Sequence, residues 1–436
     1  MKGVRSFLVL VVIAAALGGF LYYDSKREPG EGKKQEKVFA DAASDKIDQV
    51  TVKSATGETT TIRKQGGGWQ VTQPAPVAAD EAELSGITSN LASLEVQRVV
   101  DDQAADLKQY GLDPARIEVS FTQDGKARTL LLGQKTPTGS DLYAKVPDKA
   151  RVFLVASYLE STFNKSSFDL RDKTILKIDR EKVERMEIDT ADRTLKVAKQ
   201  AGEWRITSPL EARADFGAVE GIIGRLNTMP MKSVASADGA DLKAYGLDTP
   251  AATVRVTSGS AQAGLAIGKS AGEGVVFAKD LSRPMVFTIE SALLDELKKP
   301  ADDFRVKDLF DARAFNTTRL EIVRAGQTIT LEKEKGKDGW KQVTPAPKPA
   351  DAAKVDALLT ALTGVRATSF VEKVAGTGLE SPEVTVAVAY EDGQKHETVA
   401  FGRKGADAYA QRAGDGAAKI DATALDGILK AIDGLR

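Results

Sequence analysis

Three tryptophans divide this chain at nearly equal intervals. Trp69, Trp204 and Trp340 are 135 and 136 residues apart in a chain of 436. A proline follows each tryptophan in the same register, and an aspartate follows the proline, at Asp80, Asp215 and Asp351. A period of this length is the size of a domain. The chain must therefore fold as three copies of one globular module rather than as a solenoid of short repeats.

A second set of repeated residues follows the aspartates. LKQYGLDPA at 107–115 matches LKAYGLDTPA at 242–251, and GLESP at 378–382 is a weaker third copy. One glycine recurs at the centre of this segment, as Gly111, Gly246 and Gly378. We place the modules at 47–176, 177–310 and 311–436.

Each copy predicts the same order of elements. It opens with a hairpin of alternating residues, such as the one around Gly57, and the tryptophan strand comes next. The aspartate is predicted to cap a helix, because apolar residues at helical spacing follow it. The Tyr-Gly-Leu segment predicts a short helix that ends at a left-handed glycine. Four strands and a closing helix complete the copy, the helix near 157–163, 291–297 or 424–432. The fold class is α+β, a largely antiparallel sheet with helices packed on it.

The N-terminal residues differ from the modules. Residues 6–23 carry no charge and follow Lys2 and Arg5, which predicts a transmembrane signal anchor over 1–23 with its N-terminus in the cytoplasm. A cleavable signal peptide, cut near 16–19, is the alternative. Residues 24–46 contain six acidic and six basic residues and predict a flexible charged tether. The expected location is the bacterial inner membrane, with a single span and the bulk of the chain in the periplasm.

Composition excludes several kinds of chemistry. The chain has no cysteine, which removes disulfides, thiolate metal sites and cysteine nucleophiles. It has one histidine, His396, and the formal net charge is -1, so no overall field attracts nucleic acid. We therefore expect no enzyme activity, no cofactor, no metal site and no nucleic-acid partner.

Two short motifs match patterns found at catalytic or phosphate-binding sites. Gly268-Lys269-Ser270-Ala271-Gly272 fits the G-x-S-x-G nucleophile elbow, and 264–270 resembles a phosphate-binding loop with one residue too few. Both patterns require a helix afterwards, whereas the next residues predict a strand, so a hairpin turn is favoured. His396 is expected on the surface of a strand. The tryptophans could stack on a ligand, but their equivalent positions favour a packing role. Arg171 and Arg305 lie in segments that are expected to join one module to the next.

The chain resembles a known bacterial family. The G-G-W-x-V-T-x-P run, the Y-G-L-D-x-P segment and the L-R-D-K segment are similar to the domain of unknown function 4340 family. The resemblance implies an envelope protein, because members are often encoded beside subunits of ABC transporters of the gliding-motility type. It carries over no catalytic residue. The third copy departs from the pattern, since it lacks the tyrosine and the terminal arginine segment.

These observations predict a non-catalytic, membrane-anchored accessory or scaffold protein. Its expected partners are the inner membrane, through residues 6–23, and permease or auxiliary subunits of an ABC transporter. One alternative is a periplasmic or surface protein that recognises glycan or peptide through exposed aromatic residues. A more remote alternative is a serine hydrolase that uses Ser270.

Overall fold

The computed structural model describes residues 36–334, 339–371 and 373–435. Within these ranges the strands form three nine-stranded sheets, one in each copy. Residues up to Lys173 form one compact unit, and residues from Thr174 onward form a second. The predicted anchor at 1–23 lies outside the described residues. Within the described ranges, no helix has the length and apolar character needed to cross a membrane.

The first module has nine strands and two helices in its described residues. The strands are β1 Ile47–Lys53, β2 Thr59–Gln65, β3 Gly68–Gln73, β4 Val77–Ala78, β5 Arg98–Asp101, β6 Ile117–Gln123, β7 Lys126–Lys135, β8 Asp141–Lys145 and β9 Val152–Ala156. The helices are α1 Glu81–Ser93 and α2 Leu159–Phe163.

The second module repeats this order of elements. Its strands are β10 Arg185–Thr190, β11 Thr194–Gln200, β12 Glu203–Ser208, β13 Ala212–Arg213, β14 Ser233–Ser236, β15 Ala252–Ser258, β16 Ala261–Gly272, β17 Val275–Asp280 and β18 Val286–Glu290. Its helices are α3 Phe216–Thr228 and α4 Ala292–Leu297.

The third module has a longer closing helix than the other two. Its strands are β19 Thr317–Arg324, β20 Gln327–Lys333, β21 Trp340–Thr344, β22 Lys348–Ala350, β23 Ala367–Phe370, β24 Val384–Tyr390, β25 Lys395–Lys404, β26 Asp407–Arg412 and β27 Ala417–Ile420. Its helices are α5 Ala352–Thr363 and α6 Ala422–Asp433.

The three sheets share one topology. In the first module the strand order is β4-β3-β2-β1-β6-β7-β8-β9-β5, and the equivalent strands of the other modules follow the same order. Neighbouring strands pair antiparallel, as β1 does with β2 and β6. The predicted antiparallel sheet in each copy is therefore confirmed, and in the described residues the sheets predominate over the few helices. The edge strands β5, β14 and β23 were not predicted, because they are short and pair with strands about fifty residues later in the chain.

One helix in each module covers the buried face of the sheet. Helix α1 buries Leu84, Ile87 and Leu91 completely, at the spacing that predicted the helix. Burial of an aliphatic side chain of this size contributes about 1.5–3 kcal/mol relative to exposure. This apolar contact, more than helix propensity, holds the helix on the sheet.

The predicted tether is wrong for residues 36–46. Val38 and Phe39 are buried in the core of the first module, and the Phe39 ring meets the Phe121 ring edge-on at 5.1 Å. The backbone N–H of Val38 donates to the Leu94 carbonyl at 2.8 Å. The composition of the segment did not indicate this burial, because one apolar pair among many charged residues leaves the segment polar on average. The first module therefore begins by residue 36.

The predicted module boundaries also lie a few residues too late. Leu309 and Phe310, which were assigned to the end of the second copy, belong to the core of the third module. Thr174 forms a bridge with Pro230 of the second module, although 174–176 was assigned to the first. The apolar pairs Val38-Phe39, Ile175-Leu176 and Leu309-Phe310 are all buried, and each opens the module that follows it.

The repeated glycine has a partner glycine on a strand. Gly246 adopts a left-handed φ of 67°, and the Leu247 N–H donates to the Leu242 carbonyl at 2.9 Å, which closes the turn. This turn lies directly on Gly268 of β16, where an added Cβ would overlap the Tyr245 carbonyl oxygen. The same pair recurs as Gly111 with Gly133 and as Gly378 with Gly402. The turn can approach the strand this closely only because both residues lack a side chain.

We predict opposite effects for two glycine-to-alanine changes in the second module. Gly268→Ala should lower the free energy of unfolding by about 1–3 kcal/mol, because the turn must move away from the new methyl group. Gly221→Ala should raise it by about 0.5–1 kcal/mol, because Gly221 is in a helix interior and a Cβ there meets open space. Urea unfolding followed by tryptophan fluorescence measures both. Equal stability of the two variants would contradict the close turn-to-strand contact.

Candidate functional site

The repeated tryptophans are buried. Their exposed fractions are 8% for Trp69, 3% for Trp204 and 5% for Trp340. The Trp204 indole N–H donates to Glu220 Oε1 at 3.0 Å, and Lys199 Nζ lies 4.8 Å from the ring centroid. Burial of these rings removes the exposed aromatic surface that motivated the glycan- or peptide-binding alternative.

The repeated aspartates cap the main helix of each module. Asp80 Oδ1 accepts hydrogen bonds from the N–H groups of Ala82 and Glu83, both at 3.1 Å. Asp215 caps α3 through the Ala218 N–H at 2.8 Å, and Asp351 caps α5 in the same way. Such a cap stabilises a helix by about 1 kcal/mol. The repeated aspartates therefore account for the local structure at the start of each main helix.

The two apparent catalytic motifs lie within a strand. Ser270 belongs to β16, and its hydroxyl donates to the Gly272 carbonyl at 3.0 Å. Strand β17 begins at Val275, so the helix that a nucleophile elbow or a phosphate loop requires is replaced by a hairpin. His396 is exposed on β25, as the sequence predicted.

A short segment joins the second module to the third. We call residues 304–310 the junction segment. Its first part pairs with the second module, where the Asp215 N–H donates to the Phe304 carbonyl at 2.7 Å. Its later part pairs with the third module, where the Ala367 N–H donates to the Lys307 carbonyl at 2.7 Å. The joining role predicted for the segment that contains Arg305 is therefore seen directly.

Arg213, at the end of β13, connects the second module to the third. Its Nε donates to Asp415 Oδ2 at 2.7 Å, and its Nη1 donates to Asp311 Oδ1 at 2.6 Å. Its Nη2 donates to the Asp308 carbonyl at 2.7 Å. The side chain is only 10% exposed. All three acceptors lie beyond Phe304, so one guanidinium of the second module is held by the junction segment and the third module.

A buried carboxylate supports this arrangement from within the third module. The Glu397 side chain is fully buried and accepts the N–H groups of Asp311 and Ala312 at 3.0 and 2.8 Å. Arg412 Nη1 lies 2.7 Å from Asp311 and 3.0 Å from Glu397. Burial opposes the charge of Arg412, but the two carboxylates outweigh it and raise the pKa of Arg412 above its ordinary value. The charged Arg412 guanidinium thus helps to hold Asp311 in place for Arg213.

No sequence motif predicted this cluster, although a comparison of the repeats contains a signal for it. Arg412 and Asp415 stand at the repeat positions that Asp280 and Arg283 occupy in the second module, so the two charges are exchanged. Asp280 and Arg283 pair with each other at 2.8 Å, and Arg283 Nη2 also donates to the Ile175 carbonyl at 2.8 Å. In both modules the residues of this turn, 280–283 and 412–415, bind residues outside the turn. The exchange of charge between the two copies therefore indicates that the turn is a contact position.

The charged cluster around Arg213 holds the second and third modules in one relative orientation. Each carboxylate that faces Arg213 is hydrogen-bonded or ion-paired to arginine. In the described ranges, no three His, Cys, Asp or Glu side chains are grouped in a way that could hold a metal ion. The contacts fix the second module relative to the third, within one compact unit.

We predict that Arg213→Ala lowers the free energy of unfolding by about 3 kcal/mol, because Asp415, which is only 12% exposed, loses its close partner, although Asp311 keeps Arg412. The matched control is Arg319→Ala. Arg319 pairs with Glu332 at 2.6 Å but is 45% exposed, so the loss should stay below about 1 kcal/mol. In urea unfolding, the double variant Arg213→Ala/Asp415→Ala should lose less than the sum of the single losses. Full additivity would show that the two side chains are not coupled.

Two solved structures are weakly similar to this chain. A DnaN sliding clamp (DNA polymerase III subunit beta) from Pseudomonas aeruginosa bound to griselimycin is 8% identical, with a TM-score of 0.16 over 86% of this chain and 90% of that one. The isotype 1 transferrin binding protein B from serogroup B Neisseria meningitidis is 9% identical, with a TM-score of 0.07 over 86% and 62%. Neither likeness carries an argument about fold or function. No curated protein matches the chain.

A family model does match. The model described as Domain of unknown function (DUF4340) matches residues 69–203 and 204–382, which together make up more than two thirds of the chain. The two matched segments begin at Trp69 and Trp204, in the register of the repeat. The chain therefore belongs to the family described as Domain of unknown function (DUF4340).

Proposed function

We propose that this protein is a non-catalytic, single-pass inner-membrane protein whose three modules lie in the periplasm and bind another envelope component. The proposed partner is a permease or auxiliary subunit of an ABC transporter complex of the gliding-motility type. Family resemblance motivates the choice of transporter class. The structure supports the proposal through the position of the first module and the connection between the other two.

The short distance along the chain between the apolar residues and the first module carries this proposal. Residues 6–23 are uncharged, and the first module is folded from residue 36. Only residues 24–35 separate the two, and a fully extended chain of that length spans at most about 40 Å. If residues 6–23 span the membrane, the first module stays within that distance of the lipid surface. A partner that it reaches must then extend close to the same membrane.

The fixed connection between the second and third modules also supports a scaffold role. Backbone pairing along residues 304–310 and the contacts of Arg213 hold these two modules together. A fixed pair of modules presents its surfaces in one relative orientation, which lowers the entropic cost of binding a partner at two places at once. This is the property that a scaffold needs, and it requires no reactive group.

We predict that the modules crosslink to transporter subunits in intact cells. Each module exposes a large aromatic side chain, with exposed fractions of 62% for Tyr158, 69% for Phe216 and 81% for Phe315. Each can be replaced singly by photoreactive benzoylphenylalanine, because the larger side chain can extend into solvent at these exposed positions. Irradiation and purification should recover a permease or auxiliary subunit from at least one site.

The matched control keeps the same three sites but replaces residues 1–23 by a cleavable signal peptide. The modules are then no longer held at the membrane, and the yield of adducts should fall at least tenfold as the local concentration drops. Adducts with membrane subunits at none of the three sites would overturn the proposed partner.

We also predict the topology of the chain. Alkaline phosphatase, which is active only outside the cytoplasm, should be active when it is fused after residue 435, and green fluorescent protein at the same position should stay dark. The control is the same pair of fusions on a chain without residues 1–23, for which the result should reverse. A bright fluorescent fusion on the intact chain would place the modules in the cytoplasm and contradict the proposal.

A further inference from the structure

The first two modules each bind an extended segment along the same edge of the sheet. In the first module the Asp80 N–H donates to the Leu170 carbonyl at 2.9 Å, and the Asp172 N–H donates to the Ala78 carbonyl at 2.8 Å. In the second module the segment that begins at Phe304 makes the two equivalent bonds, at 2.7 and 3.1 Å. Both segments follow the closing helix of their module and pair antiparallel with the residues directly before the capping aspartate. This edge is therefore filled in both modules.

An arginine of each segment lies across from an alanine of the edge. Arg171 is opposite Ala79, and Arg305 is opposite Ala214. The two alanines are only 5% and 6% exposed. Directly opposite residues of an antiparallel pair are close neighbours on one face, so the apolar stem of the arginine accounts for part of this burial.

The two segments also share a sequence pattern. They read LRDK at 170–173 and FRVK at 304–307, which is an apolar residue followed by arginine, one variable residue and lysine. The apolar residue is buried in both, at 0% and 2% exposure. In the first segment Lys173 Nζ lies 3.3 Å from Oδ2 of the capping Asp80. The pattern therefore describes the kind of segment that this edge of a module accepts.

The equivalent edge of the third module has no such partner in the described part of the chain. Ala350 corresponds to Ala79 and Ala214, since each comes five residues after the repeated proline. Strand β22 is the terminal strand of its sheet, and among the described residues no bridge joins Ala350 to a further segment. Ala350 is only half-buried, and the capping Asp351 is exposed. The third module therefore presents an open edge where the other two are filled.

The groups along this open edge match what such a segment supplies. The Asp351 N–H and the Pro349 carbonyl are equivalent to the donor and the acceptor that bind the added segment in the first module. Strand β22 pairs with β21 on its other side only. The Asp351 carboxylate caps α5 and leaves one oxygen for a lysine, as Asp80 does. Unpaired backbone groups of this kind are a template for another strand.

We propose that this edge of the third module binds an extended segment of another protein, one that carries an apolar residue, an arginine, a variable residue and a lysine in that order. The carbonyl of the apolar residue accepts the Asp351 N–H, and the N–H two residues later donates to the Pro349 carbonyl. The arginine lies over Ala350, and the lysine pairs with the Asp351 carboxylate. Backbone bonds then give affinity, and the side chains give specificity. The site does not depend on which envelope protein carries the segment.

Peptide binding to the full-length protein, purified in detergent, tests the site. The probe is a fluorescein-labelled synthetic peptide of residues 166–174, SSFDLRDKT. Fluorescence anisotropy should show saturable binding. A second peptide carries an N-methyl group on the amide that corresponds to Asp172, so it keeps every side chain but lacks the N–H that donates to the Pro349 carbonyl. Its affinity should be about tenfold lower, because the acceptor loses its bond and the methyl group obstructs the edge.

Two lysine variants place the binding at the open edge. Ala350→Lys puts a positive charge opposite the arginine of the peptide and should weaken binding about tenfold. The control Ala346→Lys adds the same charge in the exposed turn before β22 and should leave binding unchanged. If Ala350→Lys fails to fold, a peptide with benzoylphenylalanine in place of the residue that corresponds to Phe168 is crosslinked to the unaltered protein. Mass spectrometry should then find the adduct within about ten residues of Pro349, since extended residues advance about 3.3 Å each.

Several outcomes would overturn the proposal. These are no saturable binding to the unaltered protein, equal binding of the N-methylated peptide, equal effects of the two lysine variants, or an adduct confined to another module. Sedimentation of the protein alone examines a second copy as the occupant. A dimer that Ala350→Lys dissociates, without peptide binding, would assign the edge to self-association instead. Peptide binding without transporter adducts in cells would contradict the proposed partner and leave this site standing.

Discussion

The backbone pairing of the segment that enters each module is the contact on which the rest of the architecture depends. In the first module Val38 pairs with Leu94, and in the third the junction segment pairs with the residues that follow helix α5. The entering segment brings an apolar pair into the core at the same time. Each module is therefore completed by residues that precede its own first long strand. A module cut at the boundary of the sequence repeat would lose part of its core.

Charge then determines how the second and third modules are held together. Arg213 satisfies three acceptors at once, and Glu397 holds two backbone N–H groups of the segment that carries Asp311. Such buried pairs are not a large source of net stability, because desolvation offsets much of the attraction. Their geometry favours one arrangement over others. We infer that the cluster contributes mainly to the orientation of the two modules.

Variation among the copies is concentrated at contact positions. The residues that maintain the module, such as the tryptophan, the capping aspartate and the two facing glycines, recur in the same structural roles. The turn between the last strands differs, since Asp280 and Arg283 of the second module correspond to Arg412 and Asp415 of the third. Repetition therefore preserved the fold, while the contacts between parts of the chain became specific to each position.

Sequence alone determined the features that depend on residues close together in the chain. The period of the tryptophans, the helix caps at Asp80, Asp215 and Asp351 and the left-handed turn at Gly246 follow from local chemistry and short-range spacing. The structure alone decided the edge strands, the burial of Val38 and Phe39, and the grouping of Arg213 with Asp415, which are 202 residues apart. These features depend on which surfaces meet after the chain has folded. A local sequence pattern does not specify these contacts, because their energy comes from burial and from pairing between residues that are distant in the sequence.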